Sequence, residues 1–166
     1  MTEKLKLKIE DTISDLFDGE IRGNLLSFIA YLRENKMNPS RSSAVSYKIS
    51  CKGFVVGYIR VNNDDGTLLI TPFLDVYDSA SLPDGLKEIV WAKKRIGRPC
   101  GEGCHKCSHI LDAIFGKEYD DACGQSVSFM NPSASELECI KELLTLRRDT
   151  IKSGKAKCGI PINYGK

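Results

Sequence analysis

The stretch Phe54-Val-Val-Gly-Tyr-Ile-Arg-Val-Asn-Asn-Asp-Asp-Gly-Thr-Leu-Leu-Ile-Thr71 decides the fold. Phe54–Val61 is rich in β-branched and aromatic side chains, the composition of a strand. Asn62–Gly66 gathers Asn, Asp and Gly, which tolerate the positive φ of a tight turn. Thr67–Thr71 resumes as a strand, and Pro72 ends its pairing. Just upstream, Val45, Tyr47 and Ile49 alternate with polar residues, and Lys52-Gly53 separates that run from Phe54. Loops this short cannot supply the crossover that a parallel pair requires, so the three strands form an antiparallel meander.

Helical periods flank this meander. Residues 4–17 fit both a strand alternation (Leu5, Leu7, Ile9) and a helix face (Leu5, Ile9, Ile13, Leu16, Phe17), and the helix is preferred. Ile21, Leu25, Phe28, Ile29 and Leu32 recur at spacings of three and four, as on an amphipathic helix that Asn35–Pro39 stops. Pro83 suits the first turn of a helix carrying Leu86, Ile89, Val90 and Lys93 on one stripe. Short β pieces are expected around Ala113–Tyr119 and Ser126–Met130. Asn131-Pro132 precedes Ser133-Ala-Ser-Glu136, a capping box, and Leu137, Ile140, Leu144 and Ile151 line the helix that follows. The expected fold class is α+β: an antiparallel sheet of three to five strands packed with amphipathic helices, plus a cysteine-rich metal-binding loop. It forms a single domain over 1–153, with the metal loop at 98–125 and a basic tail at 154–166.

Composition bounds the function. The chain has 166 residues, 42% of them hydrophobic and 28% charged, with a net charge of +2. That is ordinary globular material, large enough for one core. No run approaches the roughly 18 apolar residues of a membrane span, so no membrane partner is expected. Met1–Lys8 alternates charge with leucine and lacks the apolar region of a secretory signal, which places the chain in the cytoplasm. Charge is unevenly spread: residues 1–20 are acidic, Lys87, Lys93, Lys94, Arg95 and Arg98 face only Glu88 within 87–98, and 147–166 is basic.

Seven cysteines are an odd number, in a compartment where thiols stay reduced, and both facts argue against a disulfide scaffold. Cys100-Gly-Glu-Gly-Cys104-His-Lys-Cys107 places three thiols close together among polar residues, with no apolar period to carry them into a core. Cys123 follows at a distance typical of split zinc sites. Four thiolates satisfy tetrahedral zinc at about 2.3 Å per sulfur. The predicted metal ligands are Cys100, Cys104, Cys107 and Cys123, with His105 and His109 able to replace one of them. Lys106 and Arg98 would offset the charge of a thiolate centre, and Asp120-Asp121 lie near enough to Cys123 to support it. Cys51, Cys139 and Cys158 read as packing or unassigned thiols.

Two resemblances accompany these readings. The spacing of Cys100, Cys104 and Cys107 resembles the cluster-binding motif of radical S-adenosylmethionine enzymes, whose three thiolates leave one iron open to the cofactor. Here the motif follows an amphipathic helix, and the roughly 60 residues after it are too few for that family's barrel. A structural iron–sulfur cluster on the same four cysteines is the remaining alternative to zinc. Tyr47-Lys-Ile-Ser-Cys-Lys-Gly-Phe-Val-Val-Gly-Tyr58, within Leu25–Phe73, resembles the YdhG-like domains of unknown function. That resemblance implies a small α+β domain without an established catalytic site, and it carries nothing over to the cysteines.

No phosphate-cradling loop and no dinucleotide fingerprint is present, and no cysteine–histidine pair is better explained as nucleophile and base than as metal ligands. The expected function is therefore a non-enzymatic cytosolic zinc module that binds a protein or a small-molecule effector. The alternatives are nucleic-acid binding through Lys93, Lys94, Arg95, Arg98 and the tail, and an iron–sulfur protein with a redox or enzymatic role.

Overall fold

The computed structural model describes residues 7–74, 82–97 and 110–154. Their order is α1 (Ile9–Leu16), α2 (Gly19–Glu34), β1 (Asn38–Arg41), β2 (Ser46–Cys51), β3 (Phe54–Asn62), β4 (Thr67–Pro72), α3 (Asp84–Ala92), β5 (Ile110–Ile114), β6 (Lys117–Cys123), β7 (Phe129–Met130) and α4 (Ala134–Lys152). Five strands form one antiparallel sheet in the order β1-β2-β3-β4-β7, while β5 and β6 pair separately as a hairpin. The fold class is thus α+β with a five-stranded antiparallel sheet. Of the metal loop expected at 98–125, residues 98–109 fall outside the described residues, and most of the rest is the β5–β6 hairpin and not a loop.

Register and alternation divide the sheet into two faces. Tyr47 pairs with Ile59, Ile59 with Ile70, and Ile70 with Phe129, so these side chains share a face with Val61 and Leu68. The helices cover this face. Tyr47 Oη lies 2.8 Å from Thr12 Oγ1 on α1. Further along, a Cβ on Gly57 of β3 would lie 3.2 Å from Leu144 Cδ2 of α4 and 2.9 Å from the Thr71 carbonyl oxygen of β4. Phe28, Ile29 and Leu32 of α2 and Ile140, Leu143 and Leu144 of α4 complete the apolar core. The opposite face carries Ser46, Lys48, Tyr58, Arg60, Leu69, Thr71 and Met130.

The capping box predicted for the last helix is present: the Glu136 N–H donates to Ser133 Oγ at 3.3 Å, and the Ser133 N–H donates to Glu136 Oε2 at 2.9 Å. Three elements differ from expectation. Asn35–Pro39 ends α2, but the chain turns at Lys36 (φ 61°) and enters β1, so Pro39 sits within a strand. An edge strand admits proline because the missing N–H is on the unpaired side. The single strand expected at Ala113–Tyr119 is a hairpin, with Ile114 opposite Lys117. Its two loop residues, Phe115 (φ 46°) and Gly116 (φ 87°), both take positive φ, as a type I′ turn demands. The β piece expected at Ser126–Met130 contracts to Phe129–Met130, preceded by a bridge between Val127 and Lys94.

Candidate functional site

Cys123 is the last residue of β6, and 1% of it is exposed. Its predecessor Ala122 joins the main core, whereas Cys123 is buried outside that core. As strand neighbours, Ala122 and Cys123 point to opposite sides of β6. A tight turn then fixes it: the Cys123 N–H donates to Ser126 Oγ at 2.7 Å, the Ser126 N–H donates to the Cys123 carbonyl at 3.0 Å, and Ser126 Oγ approaches Cys123 Sγ at 3.7 Å.

Two chain segments meet at this residue. Asp121 accepts from the Gly97 N–H at 2.6 Å and from Lys94 Nζ at 2.7 Å. The hydrogen bond from Lys94, then that from Gly97, hold the Asp121 carboxyl below the usual carboxylate range. On the other side, Ile110 is the cross-strand partner of Cys123. Gly97 and Ile110 are the described residues that flank 98–109, and both are therefore held beside Cys123.

Cys100, Cys104 and Cys107, with His105 and His109, lie outside the described residues, as do Arg98 and Lys106. Cys123 is the predicted ligand that the structure describes. Among the described residues, no group of three or more His, Cys, Asp or Glu side chains is arranged to hold a metal. Cys51 and Cys139 are core residues, and burial, reinforced by Glu136 and Glu142, pushes the Cys139 thiol up to about 11. Both match their reading as packing thiols.

The basic segment after α3 is largely committed within the protein. Lys93 Nζ pairs with Glu136 Oε1 at 2.5 Å. Lys94, with its side chain 6% exposed, pairs with Asp121, donates to the Arg95 carbonyl at 2.6 Å and lies 5.3 Å from the Tyr119 ring centre. Arg95 is different. Its N–H donates to the Ser126 carbonyl at 2.8 Å and its Nη2 to the Gln125 carbonyl at 2.7 Å, while its buried Nε has no hydrogen-bond partner. Burial pulls this guanidinium below its ordinary range; Cys123 opposes that shift and the charge of Arg60 adds to it.

Ser126 and Gly97 did not stand out in the sequence. The turn Cys123-Gly-Gln-Ser126 is a visible signal for the first, since serine and glycine favour tight turns. Nothing local marks Gly97, because its partner Asp121 is distant in sequence. Of the aromatic side chains, Tyr47 is core, Tyr58 stacks edge-on against Phe73 at 5.6 Å, and Trp91 Nε1 donates to the Ile114 carbonyl at 2.7 Å. These are packing roles. Tyr77 lies outside the described residues. Comparison of the chain with protein-family models, curated proteins and solved structures gives no match.

Proposed function

We propose that the chain is a cytosolic metal-binding module in which Cys100, Cys104, Cys107 and Cys123 hold one zinc ion. The observation that carries this reading is the convergence of Gly97 and Ile110 on Cys123. Cys100 is three residues beyond Gly97 and Cys107 three residues before Ile110. Three residues reach at most about 11 Å, so a site at Cys123 is within chain reach of both cysteines. The surroundings of Cys123 suit a thiolate ligand: it is buried outside the apolar core, beside a serine hydroxyl and an arginine. Hydrogen-bond donors and positive charge of this kind support metal-bound sulfur.

In this reading the metal is structural. Its binding free energy is folding free energy for the 98–125 loop, and the ordered loop serves as the surface that meets a protein or small-molecule effector. Elemental analysis of anaerobically purified protein tests the proposal. One zinc per chain in a colourless protein is expected, together with loss of that zinc in Cys123→Ser. A brown protein containing iron and labile sulfide would assign an iron–sulfur cluster to the same cysteines instead. Metal-free protein whose melting temperature is indifferent to both zinc and a strong chelator would overturn the reading.

A further inference from the structure

We propose that Arg60 and Arg95 bind a small tetrahedral dianion, phosphate or the phosphoryl group of a small molecule, over the hydroxyl row on the outer face of the sheet. The site follows from the register. Arg60 of β3 stands on this face with Tyr58, opposite Leu69, and Tyr58 is opposite Thr71. Thr71 Oγ1 lies 2.8 Å from Ser128 Oγ, which brings the row to the segment leading into β7. Arg95 joins through that same segment, because its N–H bonds the Ser126 carbonyl. Lys94 bridges to the core residue Val127, so alternation turns Arg95 to the side of Ser126 and Ser128.

The polar groups gathered here hold donors in excess. Arg60 makes no ion pair or hydrogen bond among the described residues, and Arg95 has no carboxylate partner there and a buried Nε without an acceptor. Thr71 and Ser128 are each 7% exposed and share one hydrogen bond, so two O–H groups serve one contact and one O–H is left to donate. Two guanidiniums within electrostatic reach of each other repel unless an anion lies between them, and the Arg60 charge acts on Arg95 in that unfavourable sense. Cys123 acts on Arg95 in the opposite sense. A tetrahedral dianion matches the set: two negative charges for two cations, and enough oxygens to accept from both forks and a hydroxyl. A monovalent spherical anion satisfies neither the charge nor the fork geometry.

None of these donors is a proposed metal ligand, but Arg95 also flanks Cys123, so the variants chosen are at Arg60 and Ser128, which the metal reading does not use. The experiment is calorimetric titration of the full chain, as purified, with sodium phosphate against sodium chloride at matched ionic strength. Saturable one-to-one phosphate binding is expected, absent with chloride and weakened at least tenfold in Arg60→Gln. Arg60 is exposed and makes no hydrogen bond or ion pair among the described residues, so this variant should keep the melting temperature of the parent in chloride. Ser128→Ala should weaken binding several-fold, and this second variant probes the floor of the site without removing charge. Phenyl phosphate in the same titration separates the sources: tighter binding than phosphate assigns a phosphorylated molecule, and weaker binding assigns the free ion. Phosphate heats no different from chloride, or phosphate binding unchanged in Arg60→Gln, would overturn the proposal.

Discussion

Asp121 Oδ2 accepts from the Gly97 N–H at 2.6 Å, joining the end of the α3 connection to the strand that ends in Cys123. Replacing the carboxylate should release Gly97 without disturbing the sheet, since Asp121 lies outside the apolar core. In Asp121→Ala, amide exchange at Gly97 should lose its protection while the β3 and β4 amides keep theirs. If Cys123 ligates zinc as proposed, the same variant should bind it about tenfold more weakly, the usual scale for residues that support metal ligands. Hydrogen exchange and competition with a chromophoric chelator read the two effects separately.

Gly57 of β3 is packed tightly between β4 and Leu144 of α4. A methyl group there meets a carbonyl oxygen at 2.9 Å and both Leu144 and the Pro72 Cα at 3.2 Å. Two of these neighbours are backbone and cannot rotate away. Gly57→Ala should therefore destabilise the fold by about 1–3 kcal/mol, as overpacked sites do. Urea denaturation would measure this as a lower midpoint with an unchanged slope.

Arg33 grips Glu10 with two hydrogen bonds, at 2.6 and 3.0 Å, and these lower the Glu10 carboxyl below its ordinary value of 4.5. A depressed carboxyl contributes stability that is present above the unfolded value and is lost as pH falls through the folded one. The α1–α2 contact should accordingly hold at neutral pH and weaken only in acid, below the ordinary glutamate range. The pair is partly exposed, so its worth is small, about 0.5 kcal/mol. NMR titration of Glu10 should show its midpoint rising toward 4.5 in Arg33→Ala.

Cys139 is buried, its Sγ lies 4.0 Å from the Leu86 carbonyl, and its thiol is raised to about 11. Only the thiolate reacts with alkylating or disulfide reagents. In the native protein at neutral pH, Cys139 should remain unlabelled by a disulfide reagent over the time in which exposed thiols react completely, and it should react at once in denaturant. Peptide mass mapping after timed labelling would report this.

The meander was legible because three local signals agree: β-branched runs, the Asn62–Gly66 turn and the short Lys52-Gly53 link. The Ser133–Glu136 box is equally local, and it starts α4 where it was expected. Strand β1 was hidden because Pro39 reads as a stop, and only its place at the sheet edge makes the proline harmless. The β5–β6 hairpin was hidden because phenylalanine is not a usual residue for positive φ, and Phe115 takes it under tertiary constraint. Residue types and spacing picked out Cys123, but the groups around it come from long-range pairing. Asp121 to Gly97, Cys123 to Ile110 and Thr71 to Ser128 are all long-range pairings, which no window of sequence contains.

The hairpin has a consequence for any ion that visits Cys123. With Gly97 and Ile110 both fastened to β6, folding has already closed the ring of chain between them, and a ligand need not supply that closure entropy. Groups tethered over so short a span act at an effective concentration of order millimolar, far above that of the protein itself. Lengthening the span costs only about 0.6 kcal/mol per doubling, so insertions between the two anchors should leave the sheet and its register intact.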